Sequence, residues 1–174
     1  MTTRTLLILR HAKSDRDGDA IDDFARPLSA RGRRDAPRMG RWLRAHGLRP
    51  DLVLSSPALR ARQTTEAVLE ALELPQERLR YDDRLYLAGV DTLLAVITEC
   101  PARTGMLLLV GHNPGLEELL ERLGAEAPPR NAAGKLLTAG ALARLSMRQV
   151  WKNPVPHGAA LIDLVRPREL EMQD

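Results

Sequence analysis

Three short clusters in this sequence carry side chains suited to handling an anion, and each follows an apolar run. Arg10-His11, with Lys13 and Ser14 close behind, follows Leu6-Leu7-Ile8-Leu9. Ser55-Ser56, with Arg60 shortly after, follows Leu52-Val53-Leu54, and Gly111-His112 follows Met106–Val110. Arginine presents directed N–H donors that match phosphate oxygens, and imidazole can act as a nucleophile. By itself Arg10-His11 reads as a charged loop after a core strand; the recurrence of the pattern changes that reading. Two imidazoles and two guanidiniums on one rim suit a transferring phosphoryl group, whose charge calls for positioned cations and helix N-termini. Paired histidines also raise the possibility of zinc, but two ligands without Cys or carboxylate at ligand spacing make a poor zinc set.

These clusters meet only if their strands are parallel neighbours, because ligands of open α/β sheets sit beyond the carboxyl ends of the strands. Leu6–Leu9 has the unbroken apolar character of a strand buried on both faces, and Leu52–Leu54 and Met106–Val110 repeat that design. Ser29 is the expected N-cap of a helix whose apolar face is Ala36, Met39, Gly40 and Leu43 and which stops at Gly47. Pro37 within that pattern predicts a kink or a late start. Pro57 is placed in the first turn of a second helix, running to Leu72, on which Arg60 and Thr64 share one face. Leu79–Asp83 is a weaker strand, and Asp91 is the expected cap of a helix through Glu99 that Pro101 closes. Asn113 is expected to cap a helix with Pro114 at its first position, ending near Leu123. Ala141–Met147 and Ala159–Val165 read as the last strands, and 15–24 and 130–135 as loops.

A chain of 174 residues is long enough for one large core, so residues 1–174 are expected to form a single domain. The apolar runs are too short for a membrane span. The N-terminus lacks the apolar segment and cleavage site of a secretory signal. Cys100 has no second cysteine to pair with. A cytoplasmic protein with no membrane partner is the resulting expectation. The net charge is +3 and nearly all the cation is arginine, with lysine only at 13, 135 and 152. Arginines outside the clusters read as solvated helix faces. A nucleic-acid binder would show steep salt dependence, but the modest charge and an aromatic content of 3% leave few stacking platforms.

Six segments, taken in order, resemble the histidine phosphatase superfamily, the group related to phosphoglycerate mutase. They are LRHAKS at 9–14, RPLSARGRRDA at 26–36, SSPALRARQT at 55–64, VGHNPGLEEL at 110–119, LTAGALARL at 137–145 and RPREL at 166–170. More narrowly, the chain is similar to the small SixA-type phosphohistidine phosphatases. The resemblance implies an α/β fold, a three-layer α/β/α sandwich with a mostly parallel central sheet. It also implies that His11 is the nucleophile and that Arg10, Arg60 and His112 bind the phosphoryl oxygens, with no metal or cofactor. Ser14 stands where relatives often place a phosphate-binding side chain, a loop hydrogen bond being the alternative. Thr64 is read as positioning Arg60 or packing its helix. His46 and His157 fall outside the motifs and read as surface residues.

One departure from the resemblance bears on substrate. Relatives acting on alkyl phosphates usually carry a glutamate shortly after a segment resembling DxRL. Here Asp82-Asp83-Arg84-Leu85 is followed by Tyr86-Leu87-Ala88, without a carboxylate. An alkoxide leaving group benefits from a general acid, whereas imidazole, with a pKa of about 6.5, leaves readily. This favours phosphohistidine on a signalling or phosphotransfer protein, with Asp82, Asp83 and Asp91 as the carboxylates that could substitute for the acid. The chain also has no room for a large lid over the site. The alternatives are a phosphatase for a small phosphorylated metabolite and a non-catalytic phosphoprotein-binding module. An imidazole placed as a nucleophile argues against the latter.

Overall fold

In the computed structural model, which describes residues 2–19, 22–148 and 150–171, the continuous apolar runs become the centre of one sheet. The chain runs β1 (Arg4–Arg10), α1 (Ala30–Ala45), β2 (Leu52–Ser55), α2 (Leu59–Leu72), β3 (Leu79–Tyr81), α3 (Val90–Thr98), β4 (Met106–Gly111), α4 (Gly115–Leu123), β5 (Leu142–Met147), β6 (Ala159–Val165) and α5 (Pro167–Glu171). The strand order is β3-β2-β4-β1-β5-β6. The first four in that order pair in parallel, whereas β5 pairs antiparallel with both β1 and β6. β1 lies directly beside β4 with Arg10 opposite Gly111, so His11 and His112 leave the sheet at the same level.

Strand periodicity sends alternate side chains of β1 to opposite layers. Leu7 and Leu9 pack with Met39 and Leu43 of α1 and Val68, Leu69 and Leu72 of α2. Leu6 and Ile8 pack with Leu93, Val96 and Ile97 of α3 and Leu116, Leu119 and Leu120 of α4. All four β1 leucine and isoleucine side chains have no exposed surface, which is why the run shows no polar alternation. The result is an α/β/α sandwich with helices on both faces of a mixed six-stranded sheet, in line with the expected architecture. Among the described residues, no helix is long and apolar enough to cross a membrane.

Several helix boundaries differ from the sequence expectation. Ser29 does cap α1, its hydroxyl accepting from the Gly32 amide, but α1 starts at Ala30 with Pro37 inside it, so there is no late start. α2 starts at Leu59 rather than Pro57, with no side-chain cap. Gly89 precedes α3, which leaves Asp91 inside the first turn instead of at the cap. α4 begins at Gly115 behind a cis Asn113–Pro114 peptide. Asn113 is not its cap, because its amide nitrogen instead donates to Glu117 Oε1 and the Leu137 carbonyl. β3 ends at Tyr81, and Asp83–Leu85 forms a single 3-10 turn. Residues 130–135 carry no helix or strand, and within 15–24 the same holds of the described residues, Ala20 and Ile21 lying outside them.

Two glycines allow the site loops to sit where they do. A Cβ on Gly32 would lie 2.1 Å from the Lys13 carbonyl oxygen, and one on Gly115 would lie 2.0 Å from that of Ala88. Any side chain there would push α1 or α4 away from the loop it braces.

Candidate active site

The site is assembled at the carboxyl ends of β1, β2 and β4. The His11 amide donates to the Gly111 carbonyl, extending the β1–β4 ladder past the strand ends. The next amide, of Ala12, donates to Thr64 Oγ1 at 3.0 Å, and the Thr64 hydroxyl donates to the Arg60 carbonyl at 2.7 Å. Thr64 therefore joins the first turn of α2 to the loop after His11. Ser55 Oγ and Thr65 Oγ1 pair at 2.9 Å beneath it, fixing the helix to β2.

Hydrogen bonding defines both imidazole tautomers. His11 Nδ1 lies 2.7 Å from the Ala12 carbonyl oxygen, and a carbonyl only accepts, so Nδ1 carries the proton and Nε2 the lone pair. That Nε2 faces Arg60 Nε at 3.3 Å. Arg60 Nη2 faces His112 Nδ1 at 3.3 Å, and since a guanidinium only donates, His112 Nε2–H donates to Ser56 Oγ at 2.7 Å. The two rings stand 5.2 Å apart, and Arg60 is 2% exposed. Arg10 Nη1 donates to the Leu137 carbonyl at 2.9 Å, leaving its buried Nε without a partner.

These groups line a cavity of about 200 Å³, small beside pockets for drug-sized ligands and suited to a group the size of phosphate. Arg10, His11, Ser14, Arg60 and His112 all border it, together with Asn113. Ser14 also accepts a short hydrogen bond from Arg26 Nη1, so both readings offered for it have a geometric basis. His46 and His157 are exposed and lie elsewhere, His46 stacked on Trp42.

Sequence reasoning missed several residues of this cavity and its wall, among them Arg16, Asp23, Arg26, Tyr86 and Leu87. Asp23 Oδ2 lies 2.9 Å from Arg60 Nη2 and accepts from the Tyr86 hydroxyl at 2.5 Å, and Asp23 Oδ1 lies 2.8 Å from Arg26 Nη2. Tyr86 meets the His112 ring edge-on at 5.6 Å. Leu87 lines the cavity at φ 50 and 56% exposure, placing an aliphatic side chain in the stretch where the resemblance anticipates an acid. None of Asp82, Asp83 and Asp91 borders the cavity, and Asp82 is held by Arg84, which in turn pairs with Glu99. Arg26 had a signal, since it heads the matched segment at 26–36. Asp23 had none, sitting among four other aspartates between Asp15 and Asp22.

Burial, aided by Arg60, holds both imidazoles neutral. His11 is lowered to about 3, chiefly by burial and then by His112, Arg60 and Arg10, against the Ala12 hydrogen bond. His112 is lowered to about 4, chiefly by burial and then by Arg60. The Tyr86 hydroxyl, then Arg26 and Arg60, hold the Asp23 carboxyl well below the usual carboxylate range. Burial depresses Arg10. Both histidines titrate below the unfolded value of about 6.5, so over that interval the unfolded chain binds more protons than the native one. Their contribution therefore makes stability fall as pH drops from about 6.5 towards the native values. In an NMR titration of the free protein, the His11 and His112 ring signals should keep their neutral positions down to about pH 5; a midpoint near neutrality for either would contradict the packing described.

Among the described residues, no group of three or more His, Cys, Asp or Glu side chains is placed to hold a metal ion. The sequence profile of the histidine phosphatase superfamily (branch 1) matches residues 6–86. The chain is 35% identical over 164 residues to the Mycobacterium tuberculosis protein Rv1276c, covering 92% of this chain and 100% of that one. It is 30% identical over 145 residues to the phosphohistidine phosphatase SixA of Escherichia coli, covering 82% and 84% of the two chains. A solved structure of a candidate phosphohistidine phosphatase SixA from Nakamurella multipartitia superposes with a TM-score of 0.81 at 35% identity, covering 96% and 98%.

Proposed function

The chain belongs to the histidine phosphatase superfamily, and from that premise we propose that it hydrolyses phosphohistidine displayed on a protein, through a phosphohistidine intermediate on His11. The observation that carries this reading is that an unprotonated His11 Nε2 faces a cation-lined cavity in which the lining carboxylate among the described residues, that of Asp23, is bound by two guanidiniums. In the first step Nε2 attacks phosphorus in line on a phosphohistidine whose other ring nitrogen carries a proton; the P–N bond breaks, its electron pair goes to the departing ring, and that ring leaves as neutral imidazole. In the second, water attacks phosphorus and the P–Nε2 bond breaks, releasing inorganic phosphate, which takes up the proton lost by water. Both leaving groups are imidazoles, so neither step requires a strong acid. Arg10 and Arg60 hold the phosphoryl oxygens, and His112 joins them by taking up a proton at Nδ1 as the phosphoryl charge arrives, while Ser56 orients the ring by accepting its Nε2–H.

A panel of leaving groups tests the assignment. Phosphohistidine and aryl phosphates should be processed far better than sugar phosphates, and Asp82→Asn, Asp83→Asn and Asp91→Asn should scarcely change phosphohistidine turnover. Efficient hydrolysis of a sugar phosphate, abolished by one of these substitutions, would sink the substrate assignment while sparing the role of His11. One observation favours the metabolite reading instead: Asp23 is a carboxylate within the cavity. If substrate oxygens drew Arg60 from it, its proton affinity would rise, and Asp23→Asn would then lose alkyl phosphates selectively.

A further inference from the structure

In the free protein, the guanidinium best placed to grip a phosphoryl group is already engaged. Arg60 Nε donates to His11 Nε2, Nη1 to the Asp23 carbonyl at 2.7 Å, and Nη2 to both Asp23 Oδ2 and His112 Nδ1. A guanidinium has five N–H donors, so one is left for a ligand. The Asp23 carboxylate spans Arg60 and Arg26 as a phosphoryl oxygen pair would, and it borders the same cavity. Its side chain is 46% exposed, so the carboxylate can be rehydrated in solvent, and an arriving phosphoryl group replaces it as the counter-charge of the buried Arg60.

We propose that Asp23 is an intramolecular competitor for the phosphoryl site. Its carboxylate stands in for substrate in the free protein, gives way when a phosphoryl group binds, and returns to help expel inorganic phosphate. The physical need is plain from the lining: Arg10, Lys13, Arg16, Arg26 and Arg60 surround one cavity, and so many cations without a counter-charge would retain the phosphate product. The Tyr86 hydroxyl, donating to Asp23 Oδ2, steers the carboxylate into place. Asp23 is thus assigned to affinity and release rather than to the chemical step. The inference rests on the proposed function only in taking this cavity as the phosphoryl site.

Calorimetric binding of inorganic phosphate, without turnover, separates this from a purely positioning role. Asp23→Asn keeps a hydrogen-bond acceptor beside Arg60 but removes the charge, and it should bind phosphate at least about tenfold tighter, with stronger product inhibition. Tyr86→Phe should shift binding the same way by a smaller factor. Asp17→Asn, which removes an exposed charge from the same loop, should change binding less than about twofold at physiological salt. Unchanged or weaker phosphate binding by Asp23→Asn would overturn the proposal, as would equal tightening by Asp17→Asn, which would signal a general field effect. Should Asp23→Asn fail to fold, absence of any gain in Tyr86→Phe overturns it. Wild-type protein that binds phosphate but does not cleave phosphohistidine would refute the proposed substrate and leave this inference standing. Failure of every protein to bind phosphate would remove both.

Discussion

His11→Ala is expected to lose phosphohistidine turnover altogether and, with it, any acid-labile phosphate attached to the protein. No other imidazole can take over. His112 lies 5.2 Å away, ring to ring, with its Nε2 committed to Ser56 and its Nδ1 to Arg60. The substitution removes two side-chain hydrogen bonds, one to the Ala12 carbonyl and one from Arg60 Nε, but no strand contact, so the folded state should persist and still bind phosphate. Rapid-quench labelling with a phosphorylated donor, read beside thermal unfolding, checks all three points. Substantial activity in a folded His11→Ala protein would rule out the covalent route.

Arg60→Ala should cost turnover on the order of 10²–10³-fold, as removal of one transition-state donor does in other enzymes. The loss should fall on kcat at least as heavily as on KM, because charge on the transferring group is gathered most closely in the transition state. Arg60→Lys should recover little of it. A single ammonium cannot reach toward His11, His112 and the phosphoryl oxygens at once, as the planar fork does from its place at the start of α2. Since Arg60 is almost wholly buried, each variant needs an unfolding measurement alongside its kinetics. A folded Arg60→Ala protein with near-normal kcat would show that charge at this position does not carry the reaction.

The carboxylate that bears on substrate choice is a different one in the folded protein from those the sequence singles out. From sequence, the carboxylates in question were Asp82, Asp83 and Asp91, all close to the stretch where an acid is anticipated. In the folded protein those three stand away from the cavity, and Asp23, from the loop after β1, borders it. Yet Asp23 is bound by two guanidiniums and a phenol, which favour its ionised form and leave it a poor proton donor. Asp23, rather than Asp82, Asp83 or Asp91, is therefore the carboxylate on which the leaving-group panel bears.

The layers of the sandwich were legible in the sequence because strand burial leaves a local mark. Leu6–Leu9, Leu52–Leu54 and Leu107–Val110 lie under helices on both faces, so every position in them is apolar. The cap at Ser29 was legible for the same reason, since its hydroxyl reaches an amide only three residues on. What the sequence left open involves partners far apart along the chain. Asn113 looked like a cap until folding brought the Leu137 carbonyl to its amide. Asp23 meets Arg60 across 37 residues and Tyr86 across 63, and nothing in its immediate neighbourhood sets it apart from Asp15, Asp17, Asp19 or Asp22. By itself, the sequence determined which side chains leave the ends of the strands, because periodicity and burial act over a few residues. Only the tertiary structure decided which carboxylate faces them, because the path of a polar loop is set by the cations it meets rather than by any pattern of its own.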